Sequence, residues 1–123
     1  MSATIVPMAR TVLIVDDHPS FRASARAILE ADGFEIVGEA ADGASALALL
    51  RQLRPDVVLL DVQLPDMSGF DICEACGDLD RTAVVLVSSR DACDYGELIA
   101  SSGARGFVPK AELSGEAVAS LLG

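Results

Sequence analysis

Five side chains in this sequence share a setting that could support chemistry: Asp16, Asp17, Asp61, Ser88 and Lys110 each stand at or just beyond the end of a short apolar run. Asp16 and Asp17 follow Thr11-Val12-Leu13-Ile14-Val15, and Asp61 follows Val57-Val58-Leu59-Leu60. Ser88 follows Thr82–Val87, and Lys110 follows Gly106-Phe107-Val108-Pro109. Three carboxylates brought together repel one another, and one would have to take up a proton. A hard divalent cation removes that conflict. Mg²⁺ prefers oxygen ligands, keeps several waters and leaves room for a phosphate oxygen. A carboxylate oxygen beside such a cation can attack an activated phosphorus and form an acyl phosphate. The cation, Lys110 and the hydroxyl of Ser88 would then hold the phosphoryl oxygens by position and charge. Three solvated aspartates at loop starts are the plain alternative. The Asp16-Asp17 pair directly after one buried run, with Asp61 directly after another, weighs against it.

These groups converge only if the runs are strands of one parallel sheet, whose carboxyl ends lie on a single edge. Continuous apolar runs of this length fit strands buried on both faces. Helical spacing separates them. Pro19 suits the first turn of a helix, where its missing N–H costs nothing. Phe21, Ala25, Ile28 and Leu29 repeat at helical spacing up to Gly33. Phe34–Glu39 reads as a strand. Asp42 is placed to cap a helix carrying Ala46, Leu47, Leu49, Leu50 and Leu53, which stops before Pro55. Asp56–Leu60 is the next strand. Ser68 can cap a helix to about Cys76, and Gly77–Asp80 is the loop after it. Asp91–Ser101 reads as a weak helix, with Tyr95, Leu98 and Ile99 as apolar positions and Gly96 against it. Glu112–Leu122 forms the last helix. Strand and helix thus alternate five times. That predicts an open α/β fold, a doubly wound five-stranded parallel sheet with helices on both faces. A barrel would need eight units. Asp16, Asp17 and Asp61 can meet only if the first and third strands are neighbours.

The totals exclude several classes. A chain of 123 residues makes one ordinary domain. Its net charge of −10 has the wrong sign for neutralising phosphates, so this chain is not expected to contact nucleic acid directly. Among nine Lys and Arg residues Lys110 is the single lysine. The three cysteines, Cys73, Cys76 and Cys93, form no disulfide framework. Cys73-Glu74-Ala75-Cys76 has C-x-x-C spacing but lacks a second ligand pair, and reads as two apolar helix positions. The odd count and the lack of a secretory signal point to a reducing cytoplasm. No run approaches a membrane span. Residues 1–10 show no period and read as a disordered leader, with the folded domain over 11–123. His18, just after Asp17, reads as the start of a helix more than as a phosphorelay or metal residue.

Taken in order, Val12-Leu13-Ile14-Val15-Asp16-Asp17-His18-Pro19, Leu60-Asp61-Val62-Gln63-Leu64-Pro65-Asp66-Met67-Ser68-Gly69, Val87-Ser88 and Gly103–Lys110 resemble a response-regulator receiver domain of two-component signalling. The likeness covers residues 11–122. Asp-Asp-His-Pro and Gly-Phe-Val-Pro-Lys most resemble the subfamily that usually carries a C-terminal helix-turn-helix. The resemblance implies a flavodoxin-like sheet of order 2-1-3-4-5, for which a chemotaxis receiver is a standard example. It implies Asp61 as phosphoacceptor, Asp17 as a direct Mg²⁺ ligand with Asp16 helping, and the backbone carbonyl of Gln63 as a further ligand. Lys110 would pair with the phosphoryl group and Ser88 would move to hydrogen-bond it. Phe107 matches the aromatic switch that follows Ser88. The implied partners are a sensor histidine kinase, an output domain or protein, and a second copy in a phosphorylation-dependent homodimer. Acetyl phosphate is an alternative donor. The switched face would be helix 4, strand 5 and helix 5, and hydrolysis would be slow.

Some features depart from the family pattern. Relatives often carry proline after the site lysine, joined by a cis bond; here Pro109 precedes Lys110 and Ala111 follows it, where a cis bond would cost ~2.5–4 kcal/mol. Phe107 has no hydroxyl where some relatives have tyrosine. Gln63 and Arg90, two residues beyond Asp61 and Ser88, flank the family's path for attacking water and are bulky. Rival readings differ in single residues. A phosphohydrolase of the haloacid-dehalogenase type needs a second aspartate two positions after the nucleophile, where this chain has Gln63. A degenerate receiver, working as an unphosphorylated binding module, would lack the acceptor, the acidic pair or the lysine.

Overall fold

The computed structural model describes residues 9–76 and 82–122. Residues 1–8 of the expected leader, the expected loop Gly77–Asp80 and Gly123 lie outside the described residues. The elements are β1 (Thr11–Val15), α1 (Pro19–Ala31), β2 (Glu35–Ala40), α2 (Gly43–Leu53), β3 (Val57–Asp61), α3 (Gly69–Cys76), β4 (Ala83–Ser88), α4 (Glu97–Ser101), β5 (Gly106–Pro109) and α5 (Gly115–Leu122). All strand pairs are parallel and the sheet order is β2-β1-β3-β4-β5, the flavodoxin-like arrangement expected.

Strand periodicity divides the core in two. Leu13 and Val15, Val58 and Leu60, and Val84 and Leu86 pack with Ala46 and Leu50 of α2 and Ile72, Cys73 and Cys76 of α3. Their neighbours Val12 and Ile14, Val57 and Leu59, and Val85 and Val87 pack on the other face with Ala25 and Leu29 of α1 and Val118 of α5. Successive side chains of a strand point to opposite faces, so a sheet covered on both sides needs apolar residues at every position. β3 is buried along its whole length. Each such Val or Leu contributes about 1.5–3 kcal/mol by leaving water.

Local chemistry sets the ends. The N–H of Phe34 bonds to the carbonyl of Leu29 at 3.0 Å and that of Gly33 to Glu30 at 3.1 Å, with Gly33 at φ 92°, a left-handed helix stop. Asp42 caps α2 by accepting from Ser45 N–H at 2.7 Å. Ser68 Oγ accepts from Phe70 N–H at 3.1 Å while Ser68 N–H donates to Asp71 Oδ2 at 3.1 Å, a reciprocal cap.

β2 and β4 each sit one residue further along than expected, and three other boundaries differ for local reasons. Asp56 lies before β3, because its carboxylate accepts from Thr11 N–H at 2.9 Å and its own N–H donates to Thr11 Oγ1 at 2.9 Å. The helix expected over Asp91–Ser101 is broken: a 3-10 turn covers Ala92–Asp94, Gly96 takes φ 55°, and only Glu97–Ser101 is α-helical. The last helix starts at Gly115, since Lys110–Glu112 forms a 3-10 turn and Ser114 Oγ accepts from Ala117 N–H at 2.9 Å. Among the described residues no peptide bond is cis, so Lys110–Ala111 is trans.

Candidate functional site

β1, β3 and β4 end in the same local device. Asp16 Oδ1 accepts from His18 N–H at 2.8 Å, Asp61 Oδ1 from Gln63 N–H at 3.1 Å, and Ser88 Oγ from Arg90 N–H at 3.0 Å. In each, the side chain at the strand end bonds the backbone two residues on, which turns the chain and fixes the side chain. Register then sets them side by side. Val15 pairs with Leu60, Asp61 with Val87 and Ser88 with Pro109. Asp16, Asp17, His18 and Asp61 each offer a ligand atom, and these atoms lie within 4.8 Å of one another.

Lys110 reaches into this cluster. Its Nζ lies 2.6 Å from Asp16 Oδ2 and 3.2 Å from Asp61 Oδ2. It also sits over the ring of Phe21, 4.6 Å from the centroid. Asp16 is fully buried, and its Oδ2 is met by the Lys110 ammonium. His18 Nδ1 stands 3.0 Å from Asp16 Oδ1 and 3.1 Å from Asp17 Oδ1, on an exposed ring. Arg22 donates from Nη1 to the Asp16 carbonyl and from Nε to Glu39 Oε1 at 3.1 Å, which braces the start of α1 against β2.

The electrostatics follow from burial and charge. Burial pushes the Asp61 carboxyl above its ordinary range; the Gln63 N–H opposes this, the Asp16 charge adds to it and Lys110 opposes it. Burial also disfavours the Lys110 ammonium, but its contacts with Asp16 and Asp61 outweigh that and hold it above the ordinary lysine range.

The structure therefore gathers Asp16, Asp17, Asp61 and Lys110 into one cluster. Ser88 ends the adjacent strand and is buried, and its hydroxyl bonds to Tyr95 Oη at 2.6 Å. Phe107 packs beside Tyr95, with ring centroids 5.9 Å apart. Gln63 contributes its N–H to Asp61, a role the sequence did not suggest. Three contributors escaped the sequence reading. Tyr95 appeared only as an apolar helix position, and Phe21 only as a member of a helix stripe. Asp66 appeared only within the stretch that carries the family resemblance, yet its carboxylate accepts from the N–H groups of Gly43 at 2.7 Å and Ala44 at 3.0 Å. These bonds tie the loop after β3 to the start of α2 and hold the Asp66 carboxyl below its ordinary range. A groove of about 640 Å³ lined by Arg10, Asp32, Phe34 and Ser114 contains none of the cluster residues.

Known proteins agree with this geometry. Residues 12–121 match the family described as the response regulator receiver domain. A transcriptional regulator of Pseudomonas aeruginosa is 41% identical over 102 residues, covering 82% of this chain and 49% of the relative. The DNA-binding transcriptional activator EvgA of Escherichia coli K12 is 35% identical over 101 residues, covering 81% of this chain and 50% of the relative. The chain thus spans about half the length of these curated relatives. Among solved structures, the signal receiver domain of NarL from Mycobacterium tuberculosis superposes with a TM-score of 0.84 at 33% identity, covering 95% of this chain and 99% of that one. A two-component response regulator of the LuxR family from Aurantimonas sp. SI85-9A1 gives 0.82 at 28% identity, covering 94% and 86%. With the sheet order, the clustered carboxylates and these matches together, the chain belongs to the response regulator receiver domain family.

Proposed function

We propose that Asp61 accepts a phosphoryl group from a phosphohistidine of a sensor kinase, or from a small donor such as acetyl phosphate. A carboxylate oxygen of Asp61 forms a bond to phosphorus as the bond to the donor's leaving group breaks, and the leaving imidazole retains the electron pair and takes a proton. The observation that carries this reading is the Lys110 ammonium shared between the buried carboxylates of Asp16 and Asp61. Lys110 would neutralise charge on the incoming phosphoryl oxygens, and Gln63 N–H would keep the Asp61 carboxylate oriented.

Asp16, Asp17, Asp61 and the Gln63 carbonyl would hold Mg²⁺. An all-oxygen donor set built on three clustered carboxylates fits a hard cation. When bound, Mg²⁺ supplies positive charge against which carboxylates and phosphoryl oxygens can approach one another.

Phosphorylation would draw Ser88 and Phe107 into a switch of the face formed by α4, β5 and α5. That face would then act on an output domain or protein partner, or on a second copy of the chain. The relatives' names as transcriptional regulators support transcription control as the output. The residues would serve self-phosphorylation and slow hydrolysis rather than turnover, and a cytoplasmic location suits this chain as the target of a sensor kinase. No helix among the described residues is long and apolar enough to cross a membrane.

The test is intact mass after incubation with acetyl phosphate and Mg²⁺, with Asp61→Asn alongside. The wild type gains one phosphoryl mass and the variant gains none. No gain in the wild type, or equal gain in both, would overturn the assignment.

A further inference from the structure

Ser88 is 2% exposed, and two groups claim its hydroxyl: Tyr95 Oη at 2.6 Å and the N–H of Arg90 at 3.0 Å. A hydroxyl has one proton and two lone pairs. Arg90 fills one lone pair, so Tyr95 takes either the second lone pair or the proton. Phe107 has no polar side-chain atom and cannot compete for that hydroxyl.

Tyr95 is placed to pass on what Ser88 does. It follows the 3-10 turn Ala92–Asp94 directly and precedes Gly96, whose φ of 55° breaks the segment before α4. Its carbonyl accepts from Leu98 N–H at 3.1 Å, which ties it to the first turn of α4. Its ring meets Phe70 of α3 edge-on, 5.9 Å away at 67°, and lies tilted on Phe107 of β5, 5.9 Å away at 52°. The hydroxyl therefore reads β4 while the ring touches α3 and β5.

We infer that Tyr95 is the positioning residue that couples Ser88 to the segment from the 3-10 turn through α4. Its hydroxyl holds Ser88 in the unphosphorylated protein and is released when Ser88 turns to a phosphoryl group on Asp61. This rests on the reading of Asp61 as phosphoacceptor. The coupling runs through a hydrogen bond to Tyr95, with Phe107 serving as packing for the tyrosine ring.

The test uses the full chain with its tyrosine labelled at ¹³Cζ, which gives a single resonance because Tyr95 is the only tyrosine. Acetyl phosphate and Mg²⁺ are added, and intact mass is read on the same sample. The resonance shifts in the phosphorylated fraction and stays in place with Mg²⁺ alone or in Asp61→Asn. Ser88→Ala moves it in the same direction without phosphorylation. Tyr95→Phe keeps the ring and frees Ser88, so the steady-state ratio of phosphorylated to unphosphorylated chain rises roughly 2- to 10-fold, the range of one neutral hydrogen bond. A phosphoryl mass gain with an unmoved tyrosine resonance overturns the coupling and leaves Asp61 as acceptor. Absence of any mass gain overturns the Asp61 reading and the coupling with it.

Discussion

Lys110 lies nearer to Asp16 than to Asp61: its Nζ is 2.6 Å from Asp16 Oδ2 and 3.2 Å from Asp61 Oδ2. One ammonium thus spans the ends of β1 and β3 and offsets two buried carboxylates at once. A cation at the same carboxylates would share that task. Lys110→Met keeps most of the stem and removes the charge. It should cost about 3 kcal/mol of stability, the scale for leaving a buried ion-pair partner uncompensated. Urea unfolding with and without Mg²⁺ checks the link, since a ligand that binds only the native state stabilises it. Mg²⁺ should raise the variant's midpoint more than the wild type's. Equal shifts would mean that Lys110 and the cation do not share these carboxylates.

Gly69 supports Asp61 from behind. A Cβ at Gly69 would come within 2.5 Å of the Asp61 carbonyl oxygen and 3.0 Å of Val62 Cα, both backbone atoms that cannot step aside cheaply. Its N–H also bonds to the Val62 carbonyl at 2.7 Å. Gly69→Ala should therefore destabilise by about 1–3 kcal/mol through overpacking. It should also lower the phosphorylated fraction, because the displaced backbone carries the acceptor. Stability with phosphorylation by intact mass measures both. A variant as stable and as readily phosphorylated as the wild type would show that the loop yields freely.

How much of this the sequence disclosed depends on the kind of contact. β1, β3 and β4 were readable because burial on both faces demands unbroken apolar runs, and Asp16, Asp61 and Ser88 stand where those runs end. Lys110 is legible because it follows a short apolar run and is the chain's single lysine. Phe21 under Lys110 and Asp66 at the start of α2 could not be read that way. Their periodicity or turn chemistry was visible, but their partners come from other elements. Tyr95 was hidden for a different reason. Helical spacing assigned it to an apolar face, while Gly96 breaks that helix and frees the ring to turn toward Ser88. Gly96 by itself signals only a weak helix; its consequence for Tyr95 depends on the fold.

The cysteines should separate cleanly by reactivity. Cys73 and Cys76 are buried on α3, and Cys93 is exposed. Burial, and then the proximity of Cys76, push the Cys73 thiol from 9.0 up to about 12; burial pushes Cys76 up as well. Only thiolates react, so iodoacetamide at about pH 8 should add one group to the native chain, at Cys93, and three groups in denaturant. The same shift sets an alkaline limit on stability. The unfolded chain loses the Cys73 proton first, so this contribution is whole below 9.0 and is lost as pH rises toward 12. Cys73→Ala should flatten the fall of stability across that window in urea melts. An unaltered slope would place the alkaline transition elsewhere.

Gln63 and Arg90 should govern how long a phosphoryl group stays on Asp61. Each follows its strand end by two residues, and each lends its N–H to the functional side chain, Asp61 Oδ1 at 3.1 Å and Ser88 Oγ at 3.0 Å. Both side chains are exposed beyond those turns. Truncating them leaves the backbone bonds in place and removes only bulk at the edge where water would enter. The double variant Gln63→Ala with Arg90→Ala should therefore accept phosphate as before and lose it on the order of three- to tenfold faster, a barrier lower by about 0.7–1.4 kcal/mol. The decay of the phosphorylated mass after removal of acetyl phosphate gives the half-life directly. An unchanged half-life would mean that the two side chains do not obstruct water. A slower transfer to Asp61 in the same variant would instead assign them to holding the donor, because acceptance and hydrolysis approach the phosphorus from the same open side.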